Sequence, residues 1–339
     1  MGRNVLATAV LLCIFRMILQ AQSPAVPKPP FTAKEAALGK KLAATSLVIR
    51  AQITNLRAPA EPFKIMGNLY FVGIANGEVY LLTSPQGHIL FGAGYADTVP
   101  QVQKNIEAMG FKMTDIKAIV VNHNHADQAS GSAGLKQITG APLMAGFGEI
   151  PFLEHGGNLP AGTPVPNFTP QRGRGAGGGA NAGGYPPAKV DRALFDGDIV
   201  KVGPLGFTAY LIPGHSPSST SFFYTVRDGG RDYRVFEFCC WEYPNDLSQN
   251  ANISEAVVRH TLETFRKVLP VDIYLETGAY AWSGVLNQPS GTILERMAKA
   301  KADNKLFVNR DIFTALSAAR EVEFEEKLQT LRSGNPAYK

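Results

Sequence analysis

Along this chain, stretches with apolar residues at every second position alternate with stretches where they recur every third or fourth. A Pro- and Ala-rich lead-in over residues 22–60 includes a helix expected from Ala33 to Ala51. Strand-like runs follow at Leu69–Ile74, Val79–Leu82 and His88–Phe91, the last two joined by Ser84-Pro85-Gln86-Gly87, which suits a type I turn. Asp97 is placed to cap a helix carrying Val99, Val102, Ile106 and Met109, with Gly110 as its stop. The apolar run Ile116 to Val121 predicts a strand, and a second helix is expected between Ser130 and Gly140.

The second half repeats the alternation. A strand is predicted at Gly206–Ile212, and a hairpin of Ser221–Val226 and Tyr233–Phe238 turns at Asp228-Gly229-Gly230. Ser254 can cap a helix carrying Val258, Leu262 and Phe265, closed by Pro270. A last strand, Asp272–Leu275, precedes helical sequence to about Leu331. Strands and helices in two successive halves without a clean linker predict an α/β fold: one sandwich of two sheets flanked by helices. Between the halves, Gly157–Gly184 is rich in Gly, Pro, Ala and Asn and reads as a loose insertion, with a flap over a site as the alternative.

Composition narrows the class. The chain has 339 residues, 45% of them hydrophobic, which is ample for a large core. Arg3, the apolar run Val5 to Phe15, and small residues at Ala21 and Ala25 have the layout of a secretory signal peptide over residues 1–21, with an uncleaved anchor as the alternative. Its removal takes away Arg3, Arg16 and no acid, so the net charge of +5 falls but stays positive. The charge is mild, and no basic run interleaved with aromatics points to nucleic acid. The mature protein is expected in the periplasm or outside the cell, with no stable membrane association once the signal is gone; a small-molecule substrate is expected from the candidate chemistry, not from composition. Cys13 leaves with the signal; Cys239 and Cys240 are neighbours, which disfavours a disulfide between them.

The candidate chemistry is concentrated in His123-Asn124-His125-Ala126-Asp127-Gln128, directly after the predicted strand Ile116 to Val121. Alternation sends His123 and His125 the same way, so both imidazoles can reach one metal ion, with the Asp127 carboxylate beside them. Nitrogen and oxygen donors of this kind suit zinc, and an open coordination position makes such a site catalytic. Pro213-Gly214-His215-Ser216-Pro217 ends another predicted strand in a sharp turn and can supply a third imidazole.

With these motifs in order, the chain resembles the metallo-β-lactamase superfamily, and within it the third subclass of metallo-β-lactamases. The resemblance covers residues 60–335. It includes the His123 to Asp127 motif, Gly134 to Pro142, Tyr185-Pro186-Pro187-Ala188, Asp191-Arg192, Asp196-Gly197-Asp198 and Pro213-Gly214-His215. It implies an αββα sandwich over residues 61–335, with His123, His125 and His215 on a first zinc ion and Asp127 belonging to a second. It also implies a hydrolase opening the amide ring of β-lactams by metal-bound hydroxide, with Asp127 orienting the nucleophile or taking its proton. The alternatives are a lactonase or other acyl hydrolase of the same fold, and a binding protein that has lost catalysis.

Three departures weaken the implied second site. Gln128 stands where the family has histidine, Gly278 where the last metal histidine is expected, and Phe91-Gly92-Ala93-Gly94 where the family usually has Asp. What remains is Asp127, the Gln128 amide oxygen and a thiol, Cys240 (Cys239 in a register shifted by one), with a buried structural pair as the alternative for the cysteines. One zinc ion is firmly implied; the second depends on this reduced set.

Overall fold

The computed structural model describes residues 30–159, 184–241, 254–277 and 282–334. The expected signal at 1–21, residues 160–183 of the Gly-rich stretch, and Gly278 lie outside them. The compact unit runs Thr32–Lys339.

Among the described residues, seven strands form one sheet in the order of the chain: β1 (Phe63–Met66), β2 (Leu69–Phe71), β3 (Tyr80–Leu82), β4 (His88–Phe91), β5 (Ile116–Val121), β6 (Leu143–Gly146) and β7 (Arg192–Leu194). The other sheet contains β8 (Ile199–Val202), β9 (Leu205–Leu211), β10 (Thr220–Asp228), β11 (Arg231–Phe238) and β12 (Ile273–Glu276), in the order β12-β11-β10-β9-β8. The expected hairpin is present, with Asp228 opposite Arg231. The short strands β1, β6, β7 and β8, of three or four residues each, carry too little alternation to be read from sequence.

Period-2 alternation assigns each face. On β4 and β5, Ile89, Phe91, Ala118 and Val120 point into the core between the sheets. Leu90, Ile119 and Val121 point the other way, with Val99, Val102 and Ile106 of helix Val99–Ala108 and Leu135 of helix Ser132–Thr139. Between the sheets Phe91 stacks on Tyr224 at 5.1 Å and meets Phe207 and Phe222 edge-on or tilted. Outside the second sheet, Phe236 and Tyr274 pack on Phe313 of helix Arg310–Gly334, and Phe238 packs on Phe265 of helix Glu255–Val268. The architecture is therefore the helix–sheet–sheet–helix sandwich expected. Each ring buried this way contributes roughly 1.5–3 kcal/mol.

Two local readings shift. Helix Ala33–Ala51, assigned by sequence to a lead-in, lies against the last helix so closely that a side chain on Gly39 would sit 1.9 Å from the Ala315 carbonyl oxygen. Only glycine permits that approach, so this helix is part of the compact unit. Asp97 does not cap helix Val99–Ala108, whose N-cap is Thr98 without a side-chain bond. Its carboxylate is instead taken by Arg57, at 2.6 Å on the exposed surface. Ser254 does cap its helix, accepting from the Val257 amide.

Strand direction locates the site. From β4 to β7 neighbouring strands are parallel, so the loops after β4, β5 and β6 leave from one edge. In the second sheet β9 and β11 are both antiparallel to β10, and β12 is parallel to β11, so the loops after β9, β11 and β12 also share an edge. Functional groups of such sheets gather at these carboxyl-terminal ends.

Candidate metal centre

The loop after β5 carries His123 and His125, and the loop after β9 carries His215. Their three rings meet face to edge, with centroids 4.7 Å (His123–His125), 4.7 Å (His123–His215) and 4.6 Å (His125–His215) apart. Gly214 makes the approach possible: its φ of 152° lies outside the range of ordinary residues and turns the chain sharply after Pro213. The loop after β11 adds thiols. Donor atoms of His123, His215 and Cys240 lie within 4.8 Å of one another. His125 and Asp127, both expected as metal ligands, stand outside that tight set.

The two cysteines are in different states. Cys239 is fully buried, its amide donates to Ser221 Oγ at 2.8 Å, and its Sγ lies 3.5 Å from His123 Nδ1. Its thiol donates to Cys240 Sγ at 3.4 Å. That bond, together with the neighbouring His215 and Thr277 hydroxyl, holds Cys240 far below the usual thiol range, while burial drives Cys239 well above it. Of the two, Cys240 is the thiol that ionises more readily. Cys240 also has a positive φ of 21°, uncommon for a residue with a side chain and typical of strained functional positions.

Burial, reinforced by the nearby His215 and His125, lowers His123 well below the ordinary imidazole range. Its Nε2 is buried without a hydrogen-bond partner. Such an orphaned polar atom costs about 1–3 kcal/mol unless something binds it. Imidazole nitrogens beside a readily ionised thiol are donors that zinc takes, so the residues fit a zinc ion. Asp127 is pushed up to about 6, first by burial and then by the Cys240 charge, with His215 opposing.

Gln128 is fully buried, and its Nε2 donates to Glu78 Oε2 at 3.4 Å. In the turn Phe91-Gly92-Ala93-Gly94, Gly92 has φ 79°, and a Cβ there would lie 2.5 Å from the Glu78 carbonyl oxygen, so that position is held by the backbone as glycine.

Two groups that sequence reasoning did not single out support this arrangement. Glu149, directly after β6, is buried and hydrogen-bonds to both histidine loops. Glu237 lies deeper between the sheets, accepting from Asn122 Nδ2 and the Tyr224 hydroxyl at 3.4 and 3.3 Å. Burial pushes it up to about 8; those two bonds oppose the shift and Glu78 adds to it. An acid raised in the folded state keeps a proton that the unfolded chain releases, so folding stability falls as pH rises from about 4.5 to about 8. Glu237→Gln removes that slope of about 1.4 kcal/mol per pH unit. Urea unfolding of metal-free protein at pH 5.5 and 7.5 should show the wild type losing stability relative to the variant; parallel profiles would refute the assignment.

A four-layer sandwich with imidazoles and a thiol gathered where the two sheet edges meet defines a class: the metal-dependent hydrolases that act on small molecules. The comparisons agree. The profile described as the metallo-beta-lactamase superfamily matches residues 72–228. The chain is similar to a solved structure of Rm3 metallo-beta-lactamase, with 28% identity, 81% of this chain and 96% of that one covered, and a TM-score of 0.66. A mutant of the HARLDQ motif of a Cronobacter sakazakii metallo-beta-lactamase is 30% identical over 82% of this chain and 100% of its own, with a TM-score of 0.63. BJP-1, a subclass B3 metallo-beta-lactamase of Bradyrhizobium japonicum, is 27% identical over 83% and 98%, with a TM-score of 0.61. The chain belongs to the metallo-beta-lactamase superfamily, and two of its structural neighbours, BJP-1 and MEM-A1, are of subclass B3. The HARLDQ motif of the unmutated Cronobacter sakazakii enzyme, 29% identical over 82% of this chain, ends in the same Asp-Gln pair as Asp127-Gln128, so one departure noted in the sequence has a parallel among relatives.

Proposed function

We propose that this chain is a zinc-dependent hydrolase that opens the amide ring of β-lactams, exported to the periplasm or beyond and able to confer resistance to such antibiotics. The observation that carries the reading is the three-imidazole cluster whose His123 Nε2 is buried and unsatisfied. It is supported by similarity to Rm3 and to SMB-1, a metallo-beta-lactamase 29% identical over 83% of this chain, and by the signal-like layout of residues 1–21.

His123, His125 and His215 would hold the ion, with Cys240 close enough to join them. Zinc bound there supplies Lewis acidity, lowering the pKa of water toward neutrality and polarising an acyl oxygen. The protein's own part is proton handling and orientation. With its carboxyl pushed up to about 6, Asp127 can accept the proton of the attacking water on a carboxylate oxygen and return it to the amide nitrogen as the ring opens.

Gln128, tied to Glu78 where an imidazole would serve a second ion, favours one firmly held zinc and a second reading as a lactonase or weakened enzyme. The test is to add zinc to the purified mature protein and follow ring opening of a chromogenic cephalosporin, a carbapenem and an acyl-homoserine lactone. β-Lactam opening that is abolished by a chelator and restored by zinc is the expected result. Lactone opening alone would establish the second reading, and zinc binding without any hydrolysis would leave a binding protein. Fractionating cells that express the full chain tests the export.

A further inference from the structure

We infer that Glu149 is a positioning residue for the metal centre, setting the geometry of all three histidines by clamping their two loops together. This rests on the reading of His123, His125 and His215 as a metal site. The Glu149 side chain is wholly buried in the short turn Phe147–Glu149 after β6, and both of its oxygens are committed. Oε2 accepts from the backbone amide and side-chain amide of Asn124, at 3.0 and 2.5 Å. Oε1 accepts from Ser216 Oγ at 2.7 Å and from the amide and hydroxyl of Ser218 at 2.6 and 3.3 Å.

The positions of those donors carry the argument. Asn124 is the residue between His123 and His125, and Ser216 follows His215. One carboxylate therefore fixes the loop after β5 and the loop after β9 at the points where the imidazoles leave the backbone. Tyr185 secures Asn124 from another side, its hydroxyl donating to the Asn124 carbonyl at 2.7 Å. The Gly148 amide donates to Ser218 Oγ at 2.9 Å, so the turn that carries Glu149 is itself fastened to the His215 loop. A buried carboxylate is costly unless donors surround it, and these donors come almost entirely from the two ligand loops. Charge and geometry are thus coupled: the loops satisfy the carboxylate, and the carboxylate sets their spacing.

Glu149→Gln is nearly isosteric but is not a mild change. Its amide hydrogens must face either the Asn124 donors or the Ser216 and Ser218 donors, so one loop is pushed away. Glu149→Asp keeps the charge but is one methylene too short to reach both loops. The experiment is titration of the metal-free protein with zinc against a competing chelator, together with the visible spectrum of the cobalt-substituted protein. Glu149→Gln is expected to weaken zinc binding by about 10–100-fold and to change the cobalt spectrum.

Asp272→Asn provides the comparison for a merely structural carboxylate. Asp272 is 1% exposed and held by Arg231 and Arg310 on a different part of the second sheet, so its loss should lower stability and leave zinc affinity unchanged. Ser216→Ala, which removes one donor and leaves Glu149 the other four, should weaken zinc binding less than Glu149→Gln, while the metal-free protein unfolds as before. It decides the matter if Glu149→Gln does not fold. Unchanged zinc affinity and cobalt spectrum in Glu149→Gln, or in Ser216→Ala where the former fails to fold, would overturn the inference. A wild-type protein that binds no zinc would instead overturn the metal-centre reading beneath it.

Discussion

Replacing His215 with alanine is expected to abolish stoichiometric zinc binding while leaving the metal-free fold intact. The two consequences separate because His215 is a ligand on a loop that other groups hold. Ile212 donates to the Ser219 carbonyl, and Ser216 and Ser218 are tied to Glu149, so the backbone turn survives loss of the ring. In the metal-free protein, three imidazoles crowded within 4.7 Å of one another contribute little to stability, and removing one relieves the crowding. In the loaded protein the same change removes a donor from a set within 4.8 Å. Losing a partner outside the first ligand shell costs 10–100-fold in affinity, so losing a direct ligand should cost more than about 100-fold.

Thermal unfolding with and without zinc provides a second measure. At a zinc concentration about 100 times its dissociation constant, the wild type gains about 2.7 kcal/mol, and the variant should gain almost none at the same concentration. Elemental analysis should show zinc content falling from about one equivalent to a small fraction, with any hydrolysis lost in parallel. Full zinc content in His215→Ala would remove His215 from the ligand set.

The parts of this site that could be read from sequence are those whose partners are close in the chain. His123, His125 and Asp127 occupy one loop whose spacing singles them out, while His215, in the Pro213-Gly214 turn, is a candidate only in combination with that loop. Glu149 carries no such signal. Its donors lie 25, 67 and 69 residues away, and an isolated Glu after a short strand looks like any other surface acid. The clue was the apolar setting, since Glu149 follows the small, buried strand Leu143–Gly146, but that strand is itself only four residues long. Asp97 failed in the opposite sense: its local context suits a helix cap, and a distant arginine, Arg57, takes the carboxylate. Long helices and the β10–β11 hairpin were legible because alternation over eight or more residues outweighs local noise. The register that brings the β9 and β11 loops to one edge depends on strand order, which periodicity does not encode.

Cys240 and Cys239, though adjacent, should differ in reactivity toward iodoacetamide by more than about 100-fold, with zinc suppressing the faster reaction. A thiolate, not a thiol, is the nucleophile, and it reacts only where the reagent can reach it. Cys239 fails on both counts: it is fully buried and its thiol is held protonated as donor to its neighbour. Cys240 is only partly buried and is the more readily ionised thiol, assisted by its bond from Cys239, by His215 and by Thr277 Oγ1 at 3.7 Å. In metal-free protein at neutral pH, peptide mapping should therefore find the label on Cys240. If Cys240 serves the metal with His123 and His215, zinc occupies the same sulfur lone pairs and should slow its labelling to the rate of Cys239. Cys240→Ser would then weaken zinc binding and remove the sulfur-to-metal absorption of the cobalt-substituted protein, because a hydroxyl stays protonated where the thiol does not. Labelling of Cys240 at one rate with and without zinc would return the pair to a packing role, and the ion would rest on the three imidazoles alone.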